Sequence, residues 1–138
     1  MTRIKIDAEQ MQTIALFEKI TRARVKDMYE FRERLLFVVE YGDIRKALGK
    51  DKFNVEKIEH LLNRKIKIVE FNPELLMFIR NLVAPLKIVN IVEENGIVTI
   101  TGPDAKTKGL MIGARAQNLR MYETIVKKYY PIEEMRVI

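Results

Sequence analysis

The sequence predicts an α+β fold made of two consecutive copies of one small unit, and three observations carry that reading. The apolar pattern repeats the order helix, strand, strand, helix, helix, strand in each half, a repeat of roughly 65 residues, long enough for a miniature domain. Leu35-Leu36-Phe37-Val38-Val39 is a short continuous apolar run of the kind that forms a buried strand, and Asn95-Gly96 is the strongest short hairpin signal. An aliphatic residue, a glycine, four variable positions, an asparagine and a second aliphatic residue occur twice. The first occurrence runs from Leu48-Gly49 to Asn54-Val55 and the second from Ile112-Gly113 to Asn118-Leu119.

The elements follow in order. Asp7 is an N-cap for a helix over 7–21, with Met11, Ile14, Ala15 and Ile20 near one face. Strands are expected over 24–31 and 34–40, then helices over 43–48 and 54–62 separated by the break at Gly49. Asn63-Arg64 turns the chain into a strand over 65–71 that alternates polar and apolar residues. The second copy opens with an apolar helix over 73–83, with Pro73 in its first turn and Pro85 stopping it. Strands over 86–93 and 97–101 pair through Asn95-Gly96. Helices over 105–112 and 117–129 flank the break at Gly113, and a last strand covers 132–138. Tyr129-Tyr130 closes a helix and is expected to pack between helix and strand. The domains are accordingly 1–72 and 73–138.

Composition bounds the chemistry. Among 138 residues there is no cysteine and one histidine, His60, so thiolate metal sites, disulfides and a cysteine nucleophile are excluded and a histidine base has little support. Glu56 and Glu59 flank His60, but without further ligands it reads as a structural or surface residue. Glu93-Glu94 and Glu133-Glu134 are sequence neighbours and not a facing acid–base pair. No cofactor, metal or catalytic activity is expected. No apolar run approaches the ~20 residues that span a bilayer, and the first residues lack an apolar export signal, so a cytoplasmic protein without membrane contact is expected. Lys and Arg number 25 against 19 Asp and Glu, a net +6 that points to a polyanionic partner.

The repeated break supplies a place for that partner. A tight junction between two helices turns backbone N–H groups and the positive end of a helix dipole toward solvent, where they attract phosphate. A glycine there lets a sugar-phosphate backbone come close. Lys50 and Lys52 add cations to the first loop, and Arg115 and Arg120 to the second. Leu48, Val55, Ile112 and Leu119 read first as core. An aspartate introduced at Gly113 is expected to weaken binding of that partner while leaving the protein folded.

At these residues the sequence resembles the type II KH domain, whose adjacent helices are joined by a Gly-x-x-Gly loop. Two in tandem over essentially the whole chain resemble the compact archaeal relatives of the NusA transcription termination/antitermination family. The stretches that carry the likeness are Leu48-Gly49 with Asn54 to Glu59, Leu61 to Glu70, and Met111-Ile112-Gly113 with Gln117-Asn118-Leu119. The resemblance implies two three-stranded sheets, each with helices packed on one face, and single-stranded RNA bound along the loops. The implied RNA-binding residues are Gly49, Lys50, Lys52 and Asn54 in the first copy, and Gly113, Ala114, Arg115, Ala116, Asn118 and Arg120 in the second. Both loops depart from the family pattern at their last position, where Lys52 and Ala116 replace glycine, and Asp51 sets a negative charge in the first loop. The expected function is a monomeric RNA-binding transcription factor with RNA polymerase as a further partner. The rival reading is a module that docks on RNA polymerase or the ribosome with degenerate loops.

Overall fold

A computed structural model describes residues 8–138. The chain divides into two compact units, the first closing at Phe71 and the second running Asn72–Ile138. The element order is the same in both: α1 (Ala8–Thr21), β1 (Val25–Phe31), β2 (Arg34–Val39), α2 (Ile44–Leu48), α3 (Phe53–Leu62) and β3 (Lys65–Glu70), then α4 (Leu75–Val83), β4 (Asn90–Glu94), β5 (Ile97–Thr101), α5 (Ala105–Ile112), α6 (Gln117–Tyr129) and β6 (Glu134–Val137). The expected α+β architecture with two three-stranded sheets is what forms.

In the first unit β2 is the central strand, antiparallel to β1 and parallel to β3. A parallel neighbour needs a long crossover, and the pair α2 and α3 supplies it. The residues of β2 that point at the helices, Leu35, Phe37 and Val39, meet Phe17, Ala47 and Ile58, and Phe37 stacks on Phe17 with ring centroids 4.2 Å apart. The second unit repeats the order β4-β5-β6 with the same antiparallel and parallel pairings. Asn95 (φ 50°) and Gly96 (φ 82°) are both left-handed, as the two-residue hairpin demands.

Several boundaries differ from the sequence reading. The Asp7 cap lies outside the described residues. On α1 the buried side chains are Phe17 and Thr21; of the expected face, Ile14 and Ile20 pack against the core, while Met11 and Ala15 are exposed. Pro73 does not enter α4: Glu74, extended at φ −89°, is its N-cap, and the helix starts at Leu75. The strand expected from Leu86 starts at Asn90 because the Leu86 N–H is bonded back to the Val83 carbonyl (3.0 Å), which holds it in a turn. β6 is shortened likewise, since Ile132 donates to the Tyr130 carbonyl (2.9 Å) in a tight turn. Tyr129 and Tyr130 pack on Phe78 of α4, at 5.5 and 5.9 Å between centroids, and so join the end of the last helix to α4.

Candidate nucleic-acid interface

The two glycine breaks fold into the same object. Gly49 (φ 72°, ψ 175°) and Gly113 (φ 74°, ψ 173°) occupy a backbone region that is essentially closed to other residues. Each ends a helix by donating its N–H four residues back, to Arg45 at 3.0 Å and to Gly109 at 2.8 Å. The third and fourth loop residues are left-handed in both copies, Asp51 and Lys52 at φ 53° and 58°, Arg115 and Ala116 at φ 54° and 60°. The turn is closed by the Lys52 N–H on the Gly49 carbonyl and the Ala116 N–H on the Gly113 carbonyl, both 3.2 Å. One backbone solution thus serves two sequences that share only the glycine.

The conserved spacing within the repeat has a structural cause. Asn54 Nδ2 donates to the Lys46 carbonyl (3.0 Å), and Asn118 Nδ2 to the Leu110 carbonyl (2.8 Å). Each asparagine therefore ties the start of the second helix to a carbonyl that the end of the first leaves open. It also occupies the space where a glycine Cβ would lie, 2.8 Å from Asn54 Nδ2 at Gly49 and 2.7 Å from Asn118 Cγ at Gly113. The missing Cβ faces inward to the asparagine. The glycines are required by backbone conformation and packing, which corrects the idea that they chiefly clear a path for a ligand.

A second device is built from a repeated glutamate. The fifth residue after each asparagine is a glutamate, Glu59 and Glu123. Glu59 Oε2 accepts the Ile66 N–H (2.9 Å) and Glu123 Oε2 the Met135 N–H (2.8 Å), residues that hold equivalent places in β3 and β6. The carboxylates fix the long helix to the last strand. The signal that could have found them is the twofold spacing Gly49, Asn54, Glu59 and Gly113, Asn118, Glu123.

The side chains differ where the backbones agree. Lys50, Asp51 and Lys52 are exposed, as are Ala114, Arg115 and Arg120, while Leu48, Val55 and Ile112 are half-buried and Leu119 is buried. In the first loop and the turn after it, two lysines face two acids, Asp51 and Glu56. The second presents Arg115 and Arg120 with no acid at the matching positions. Arg120 leans on Glu123, with Nη1 3.4 Å from Oε1. His60 is exposed on α3. The Lys52 and Ala116 N–H groups are used inside the turns. Those of Lys50, Asp51, Ala114 and Arg115 meet no acceptor among the described residues, so they are the donors each loop offers an anion.

No protein-family model matches the chain. It is 30% identical to the probable transcription termination protein NusA of Methanococcus vannielii, over 99% of this chain and 80% of that protein. The chain belongs to the NusA transcription termination protein family. The proteins of the same name from Methanocaldococcus jannaschii and Thermoplasma acidophilum are 29% and 26% identical over 100% and 99% of this chain, and over 77% and 97% of their own lengths. The crystal structure of APE1850 superposes with a TM-score of 0.70 at 26% identity, covering 96% of this chain and 100% of that one. Family membership extends across both units, so the twin loops lie within the shared region. No helix among the described residues is long and apolar enough to cross a membrane.

Proposed function

We propose that the protein is a non-catalytic, cytoplasmic RNA-binding transcription factor, monomeric, whose two units are type II KH domains that hold single-stranded RNA at their glycine loops. The observation that carries this is the identical left-handed backbone of the two loops, each offering a pair of unclaimed N–H groups beside exposed cations. The second loop is the stronger clamp, because it holds Arg115 and Arg120 where the first holds the acids Asp51 and Glu56, and only Arg120 has an acid beside it, Glu123 at 3.4 Å. Membership in a transcription termination family supports RNA and RNA polymerase as the partners.

The test is Arg115→Asp. Asp51 already holds the same left-handed conformation in the first loop, so the variant keeps the turn and reverses its charge. Single-stranded RNA affinity is expected to fall about tenfold, and Asp51→Arg to raise it. Unchanged affinity in folded Arg115→Asp removes the second loop from the interface. A parent protein that binds RNA polymerase but no RNA makes docking the better reading.

A further inference from the structure

A second basic feature lies at the other end of the first unit. The parallel register that sets Arg34 of β2 opposite Lys65 of β3 also brings the β1–β2 turn beside the turn that ends α3. Between them is a cleft of about 560 Å³ whose lining includes Arg32, Arg34, Arg64 and Lys65, with Glu30 and Glu33 as its acids. Arg64 takes Glu30 at 2.7 Å. Lys65 lies 3.9 Å from Glu59 of α3, and the Arg32 guanidinium sits 5.2 Å from the Phe31 ring. Arg34 is exposed and has no ion-pair partner among the described residues. Positive potential therefore exceeds what the local acids offset. The neighbouring Lys67 ammonium is pushed down to about 8, mainly by burial and further by the charge of Arg34.

The second unit shows that this is no requirement of the fold. At the equivalent end, the Asn95-Gly96 turn lies against Glu133, whose N–H donates to the Gly96 carbonyl at 2.7 Å, and Glu93, Glu94 and Glu133 are exposed there. Around this end one fold carries four cations with two acids in the first copy, and the three exposed acids Glu93, Glu94 and Glu133 in the second.

We infer that the cleft walled by Arg32, Arg34, Arg64 and Lys65 is a second phosphate site, which takes the backbone of the RNA strand held at the loops. This rests on the RNA-binding reading above. The cleft and the first loop are separated by the length of α3, about 15 Å for a ten-residue helix. A strand leaving the loop and following α3 meets the cleft after a few nucleotides. The cleft therefore supplies in the first unit the cationic contact that its charge-balanced loop lacks.

The experiment uses fluorescence anisotropy on the full chain with oligouridylates of four and twelve nucleotides over a range of salt. Arg34→Gln with Lys65→Gln removes two exposed charges. Lys19→Gln with Lys87→Gln removes the same charge elsewhere. The cleft variant is expected to bind the twelve-mer about fivefold more weakly, with a log–log salt slope reduced by about 1.4, while the four-mer and the control variant behave as the parent. A twelve-mer bound by the cleft variant with parental affinity and slope overturns the site and leaves the RNA reading standing. An equal loss in the control variant also overturns it, since that would be general charge and not a site. A parent that binds neither oligonucleotide refutes the RNA reading, and the cleft assignment with it.

Discussion

Replacing Gly113 by alanine tests the account of the loop at its most constrained atom. At φ 74° and ψ 173° a side chain costs of order 1–3 kcal/mol in backbone strain alone. The added Cβ would lie 2.7 Å from Asn118 Cγ, 2.8 Å from its Nδ2 and 3.0 Å from its backbone nitrogen. Asn118 can yield only by giving up its bond to the Leu110 carbonyl, worth about 1 kcal/mol. Together these amount to about 2–4 kcal/mol, a drop in melting temperature of roughly ten degrees or more for a unit of this size. Urea denaturation followed by circular dichroism measures it. Gly109→Ala is the control, because its Cβ meets nothing within 4 Å and it lies inside α5, where alanine is expected to stabilise by about 0.5–1 kcal/mol. A Gly113→Ala protein within about 0.5 kcal/mol of the parent would refute the packing argument. The same geometry overturns the expectation that aspartate at Gly113 leaves the fold intact, and it is why the RNA test uses Arg115.

Three further outcomes follow from the same contacts. Ala116→Gly and Lys52→Gly relieve left-handed residues at φ 60° and 58° and are expected to raise stability by a few tenths to about 1 kcal/mol, read from the denaturation midpoint. Glu123→Ala strands the buried Met135 N–H and is expected to lose about 1.5–3 kcal/mol, with a smaller loss for Glu59→Ala, whose bond to Ile66 is only partly buried. Lys67, pushed down to about 8 by burial and by Arg34, binds its proton less readily folded than unfolded. Unfolded chains therefore hold more protons between about pH 8 and 10, and stability is expected to rise across that window by of order 1–3 kcal/mol. Lys67→Met should abolish the rise in urea titrations at the two pH values.

The local grammar of this chain was legible because it rests on interactions within a few residues. The apolar run 35–39 forms the central strand of the first unit, and Asn95-Gly96 makes the β4–β5 hairpin of the second through two left-handed residues. The repeated Gly49 and Gly113 mark helix ends that only glycine can close. Boundaries failed where a non-neighbouring bond decided them. The Leu86 N–H is bonded to Val83 and so stays out of the sheet, and Pro73 stands ahead of the Glu74 cap. On α1, periodicity found Ile14 and Ile20, which pack on the core, but also chose the exposed Met11 and Ala15 and missed the buried Phe17 and Thr21, because the partner surface sets where the stripe is centred.

By itself, then, the sequence determined two copies of one element order, the glycine that ends the first helix of each pair, and the cations around the second loop. Those follow from period and turn chemistry, which the chain carries locally. Only the tertiary structure decided what Asn54 and Asn118 do, since their partners are carbonyls of a preceding helix. It alone gave Glu59 and Glu123 their strand N–H groups. It alone brought Arg32 and Arg34 to Arg64 and Lys65, residues some thirty positions apart that join because β2 and β3 run parallel in one register. Strand pairing is a long-range choice, so a cleft made by it leaves no pattern in neighbouring residues.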